Sequence, residues 1–158
     1  MYKYSDNNTD NFSLHDCRAT KLIIGENSLI FEFEEGFWVI GKGTMLNQYT
    51  GRSEVGFSIT SDKPEWAISV YLIKYLDTDE DSEEDRALRT GMPLDKLAEL
   101  LNNGAELEFL DEYKGYGKYY YECVLWHPKG TVPRTEDCQL YISAKDITYR
   151  WNEVKTDN

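Results

Sequence analysis

Marked as apolar or polar, most positions of the chain repeat with a period of two. In "SLIFEFEE", residues 28–35, Leu29, Phe31 and Phe33 alternate with Glu32 and Glu34, the pattern of a half-buried strand with one wet face. "CRATKLII", residues 17–24, predicts a strand before it, and "GENS" between them carries hairpin-turn residues. "GFWVIG", residues 36–41, predicts the third strand of an early meander. A second group comprises "EVGFSIT" at 54–60 and "WAISVYLIKYL" at 66–76. The latter is apolar on both faces and therefore suits the interior of a sheet. A third group comprises "AELEFLDEY" at 105–113, "GKYYYECVLWH" at 117–127 and "DCQLYIS" at 137–143, with "DITYRW" at 146–151 as a last short strand.

One segment changes period. "PLDKLAELLNNG" sets Leu94, Leu97, Leu100 and Leu101 at helical spacing, with Pro93 at the first turn and Gly104 past the end. A helix over about 93–103 is too short to stand alone in water, so its leucine stripe must dock on the sheet. The elements predict a mainly β, α+β domain: an antiparallel β-sandwich or open barrel of about eight strands with one short helix packed on it. The 158 residues suit a single globular domain over 12–152, with a polar lead-in at 1–11 and a polar tail at 153–158 that fray. No repeat is visible at solenoid periods.

Composition sharpens this picture. Twelve Tyr, 6 Phe and 4 Trp favour pleated, half-buried surfaces. The net charge of −12 repels nucleic-acid phosphates and anionic membrane faces, so neither is expected as a partner. It favours a basic protein or a cation. Three cysteines, at 17, 123 and 138, do not make a disulfide framework and predict a reducing, cytoplasmic setting of bacterial style. No stretch approaches the roughly 18 apolar residues of a membrane span, and the first residues lack an apolar signal core.

Four candidate chemistries follow. His15, Asp16 and Cys17 stand side by side, but within a strand His15 and Cys17 would share one face and Asp16 the other, which separates a carboxylate from the imidazole it would orient. The triplet therefore reads as the start of the first core strand, with Cys17 inward and His15 near the edge. His15, Cys17, Cys123 and His127 are ligand types that suit zinc, but they lack the close ligand pairs of a structural site. Neither a metal nor another cofactor is expected. "DTDEDSEED", residues 77–85, carries seven acids and no base. Asp77, Asp79 and Asp81 match the first calcium-loop positions, yet Ser82 stands where that loop needs Gly and Leu88 where it needs Glu. As a solvated loop between a strand and the helix, Asp77, Asp79, Glu80, Asp81, Glu83, Glu84 and Asp85 would attract a cationic partner.

The fourth is aromatic. Tyr119, Tyr121, Cys123 and Leu125 share one strand face, and Tyr120, Val124 and Trp126 share the other. One face is core. The other is either covered by the helix or a second sheet, or open as a contact surface in which Tyr120 and Trp126 meet a partner. No nucleophile elbow, phosphate loop, zincin helix or dinucleotide fingerprint occurs, which favours a non-enzymatic module. A small acidic domain with an aromatic sheet is similar in profile to bacterial immunity proteins, which neutralise toxins by covering a basic surface. The likeness is one of composition and architecture, without a shared motif. A carbohydrate- or small-ligand-binding sandwich, using Tyr120, Trp126 and Trp151 as a platform, is the alternative, as is a metal-dependent domain using the His and Cys residues.

Overall fold

The computed structural model describes residues 1–76 and 86–155. Among them, fifteen strands, numbered along the chain, make three antiparallel sheets. In the first, the order is β1 (Tyr4–Asp6), β14 (Asp146–Trp151), β8 (Ser53–Ser58), β5 (Ser28–Phe33) and β4 (Lys21–Ile24). In the second it is β10 (Arg86–Met92), β9 (Ile68–Leu76), β13 (Thr135–Ser143), β12 (Lys118–Trp126), β11 (Glu106–Gly115) and β3 (Cys17–Ala19). A small third sheet joins β15 (Val154–Lys155), β7 (Gln48–Thr50), β6 (Trp38–Val39) and β2 (Phe12–Ser13). Two short helices are α1 (Pro64–Ala67) and α2 (Leu94–Asn102).

The fold is a mainly β, α+β sandwich. Alternation on both large sheets sends one set of side chains inward, and these interlock through aromatic edges. Phe31 meets Phe109 across the layers at 5.6 Å, and Phe57 meets Tyr121 at 6.3 Å. Leu29, Phe33, Val55, Leu107, Leu125 and Leu140 complete the centre of this core. α2 packs on β4, β9 and β11 and buries Leu94, Leu97 and Leu101, closing one open side of the sandwich while leaving the outer sheet faces bare. Gly104 ends it with a φ of 101°, the conformation a helix stop favours.

Several expectations change in physical detail. "CRATKLII" is two strands in different sheets: Ala19 and Leu22 both point inward although three residues apart, so the chain slips phase near Thr20 and crosses from β3 to β4. "GFWVIG" joins the third sheet, and β5 takes β8 as its other neighbour, so there is no early meander. Tyr4–Asp6 of the polar lead-in pairs with β14, and Val154–Lys155 of the tail pairs with β7. The strand count exceeds eight because six strands are only two or three residues long, too short for alternation to register. β10, not the helix, follows the acidic run.

Candidate functional site

The outer face of the six-stranded sheet carries the densest set of unburied aromatic side chains. Register builds it. Tyr113 faces Tyr120 across β11 and β12, Tyr120 faces Tyr141 across β12 and β13, and Tyr71 of β9 lies one pair further on. The rings form a ladder perpendicular to the strands. Tyr113 and Tyr120 stack at 5.5 Å, Tyr120 and Tyr141 at 4.5 Å, and Tyr71 meets the edge of Tyr141 at 5.9 Å. Arg89 of β10 ends the row, with its guanidinium 3.6 Å from the Tyr71 ring centre and a hydrogen bond donated to Gln139. Tyr113 is 57% exposed and Tyr141 37%, so the ladder is a surface.

A bulge between Phe109 and Asp111 makes this register possible. It shifts the alternation of β11 by one residue, so Tyr113 shares the outer face with Tyr120 while Glu112 turns inward. Along the same face, Glu122 accepts the Tyr120 hydroxyl proton in a hydrogen bond. Burial, followed by that contact, holds the Tyr120 phenol above its ordinary range. Glu106 and Glu108 are held by Arg18 at 3.1 and 3.5 Å. Asp111 and Asp137 stand exposed on the face and give it a net acidic margin.

Beyond Asp137↔Ile73, β9 loses its neighbour β13 and continues paired to β10 alone. Lys74, Tyr75, Leu76, Ala87 and Leu88 are all exposed on this two-stranded arm, whose last pair is Leu76↔Arg86. The acidic run 77–85 joins those two strands and lies outside the described residues.

The two aromatic residues expected to meet a partner, Tyr120 and Trp126, both lie on this uncovered face, but 6 positions apart in β12 and in different surroundings. Tyr120 is the centre of the ladder. Trp126 has guanidinium groups over its ring, Arg18 at 4.3 Å and Arg134 at 5.6 Å. Trp151 sits elsewhere, on β14 of the opposite sheet, packed against Tyr4 and Phe12. Tyr113, Tyr141, Tyr71 and Arg89 were not distinguishable in the sequence, since cross-strand register is what makes them one row.

The His15, Asp16, Cys17 triplet departs from the strand geometry expected of it. His15 and Asp16 form a turn before β3, with Asp16 at φ 61°, so the Asp16 carboxylate comes within 3.4 Å of His15 Nε2 instead of pointing away. His15 Nδ1 meets the Leu110 carbonyl at 2.6 Å. That contact, ahead of the charges of Asp16, Asp111 and Glu108, raises the imidazole pKa. Cys17, as expected, points into the core. Its Sγ meets the His15 carbonyl and the Tyr49 hydroxyl, not the imidazole, and burial pushes the thiol up to about 12. A thiol so held is a poor nucleophile at neutral pH.

Cys123 and Cys138 face one another across β12 and β13, both buried, with burial raising both thiols. His127 directly follows the end of β12 and bonds Glu136 at 2.6 Å. His15, Cys17, Cys123 and His127 thus do not converge, and among the described residues no three His, Cys, Asp or Glu side chains are placed to hold a metal ion. None of the described helices is long and apolar enough to cross a membrane. Comparison with protein-family models, with curated proteins and with solved structures finds no match.

Proposed function

We propose that this chain is a non-enzymatic binding module that recognises a basic protein through the outer face of its six-stranded sheet. One observation carries the reading: a four-tyrosine ladder on an exposed sheet face, in a chain whose sequence sets seven acids between the segments of β9 and β10. Tyrosines held in place by stacking lose little freedom on binding and present both apolar edges and hydroxyls, which is the chemistry of interface hot spots. The acids would raise the encounter rate with a cationic surface and set its salt dependence. An immunity or inhibitor role, in which a basic surface is covered, fits this arrangement.

Ring geometry favours a protein over a sugar. A sugar stacks on a free ring face, whereas both faces of Tyr120 are occupied by Tyr113 and Tyr141, and guanidinium groups lie over Trp126. Trp151 is on the other sheet and cannot extend the row.

The test is affinity capture from lysate of the source cells with two baits, the natural chain and a Tyr113→Ser/Tyr141→Ser variant. The reading predicts one basic protein retained at low salt by the natural chain, released at high salt and absent from the variant. Retention by both baits, release by neither salt, or an empty natural bait would each overturn it.

A further inference from the structure

A large hollow lies away from the middle of the ladder, at the side of the sandwich closed by α2. It has a volume of about 800 Å³ and runs between the end of β4, α1, the first residues of β9, and the junction of β10 with α2. Ile24, Ile68, Val70, Met92 and Leu94 make its walls apolar, with Pro64 and Pro93 at the two helix starts. Glu65 and Asp95 stand on its lips. A second hollow of about 790 Å³ adjoins it and shares Ile24, Pro64 and Glu65. This continuation adds Glu26, Asp62 and Lys63, so the two form one trough passing α1.

Its charge is one-sided. Glu26, Asp62, Glu65 and Asp95 are exposed carboxylates, and among the described residues none of them makes an ion pair. The single base on the trough, Lys63, lies 4.6 Å over the ring of Trp66. Trp66 itself is 72% exposed beside the trough, and Ile23 and Ile24 of the edge strand are 45% and 37% exposed. An apolar trough with unpaired acids on its rim matches a ligand with an apolar centre and positive flanks. A second copy of this chain, with a net charge of −12, does not match it. Two joined hollows exceed one small molecule of ordinary size and suit a peptide segment.

We infer that this trough seats a segment of a partner protein made of aliphatic residues flanked by lysine or arginine. The inference rests on the reading of the chain as a module for a basic partner, and supplies it with a second, separate contact. Tyr71 links the two surfaces, since it is the last tyrosine of the ladder before Arg89 and also lines the trough.

Fluorescence anisotropy with a labelled peptide of sequence KRLLILLKR tests the site directly. The natural chain is expected to bind it saturably, and Asp62→Lys/Glu65→Lys to weaken it at least tenfold, about 1.4 kcal/mol. Met92→Glu, which places a charge on the apolar wall, is expected to weaken it as much. Glu34→Lys/Glu35→Lys, an equal change of net charge at the opposite end of β5, is expected to leave affinity within about threefold. Unchanged urea midpoints for the charge-reversal variants confirm folding. The ladder variant Tyr113→Ser/Tyr141→Ser is expected to bind the peptide as the natural chain does. That separates the two claims, because loss of lysate capture in the ladder variant tests the ladder alone. Absence of peptide binding, equal loss in both charge-reversal pairs, or indifference to Met92→Glu overturns the trough, whatever the ladder does.

Discussion

Tyr120 and Tyr121 are neighbours in β12 that face opposite ways, and truncating each measures which side of the sheet is core. Tyr121 is fully buried, 5.1 Å from Phe109 and 6.3 Å from Phe57. Removing a buried ring of this size costs about 3–5 kcal/mol, so Tyr121→Ala is expected to fall in that range. Tyr120 is half-buried and loses two stacked neighbours, each contributing about 0.5–1.5 kcal/mol. Tyr120→Ala is therefore expected to cost about 1–3 kcal/mol. Among the described residues the buried Tyr121 hydroxyl has no partner, and an unsatisfied polar group costs about 1–3 kcal/mol, so Tyr121→Phe is expected to match or exceed the natural stability. Equilibrium urea unfolding is the assay. With a slope of about 2 kcal/mol per molar, Tyr121→Ala lowers the midpoint by about 1.5–2.5 M and Tyr120→Ala by about 0.5–1.5 M. Equal midpoints for the two alanine variants, or a clear loss in Tyr121→Phe, would refute this assignment of core and surface.

Gly36 has φ 98°, and a Cβ there would lie 2.1 Å from the Thr50 carbonyl oxygen; Gly36→Ala is expected to cost about 2 kcal/mol or more, and a melting temperature equal to the natural chain's would contradict this. Native Cys17, Cys123 and Cys138 are expected to resist alkylation at pH 8 and to react fully in denaturant, since burial disfavours all three thiolates; one rapidly labelled native thiol would disprove it. Burial, opposed by Lys114, raises the Glu112 carboxyl pKa. Such a group stabilises the fold when protonated, below its unfolded pKa, and that contribution is lost as pH rises through the folded value. Glu112→Gln is accordingly expected to be more stable than the natural chain at pH 7, with the gain shrinking toward pH 3; thermal melts showing no pH trend would sink the argument.

The long strands were legible because their alternation is strict and uninterrupted: Leu29, Phe31 and Phe33 in β5, and Tyr119, Tyr121, Cys123 and Leu125 in β12, point inward as the pattern requires. The helix was legible from four leucines and its Pro and Gly ends. Three features were hidden for separate reasons. The sheet switch at Thr20 depends on a single phase slip between Ala19 and Leu22, in a segment whose sequence reads as one strand. β10, "RALRTGM", contains no β-branched residue except Thr90 and gains its strand form from pairing with β9. The ladder required the bulge in β11, without which Tyr113 would face inward. Sequence alternation thus marked Tyr120 as facing away from Tyr121, and only register gathered Tyr113, Tyr141, Tyr71 and Arg89 around it. The approach of the Asp16 carboxylate to His15 was not legible, because it follows from the positive φ of Asp16, which aspartate tolerates better than most residues.

The central claim is that a basic protein covers the tyrosine ladder, and oxidative footprinting of the captured complex tests it most directly. Hydroxyl-radical labelling, read by mass spectrometry, reports the exposure of each tyrosine with and without the partner. The account predicts that Tyr113, Tyr120 and Tyr141 become protected on binding while Tyr4, 54% exposed on the opposite sheet, is labelled as before. Ladder tyrosines labelled at their free rate in the complex would contradict it.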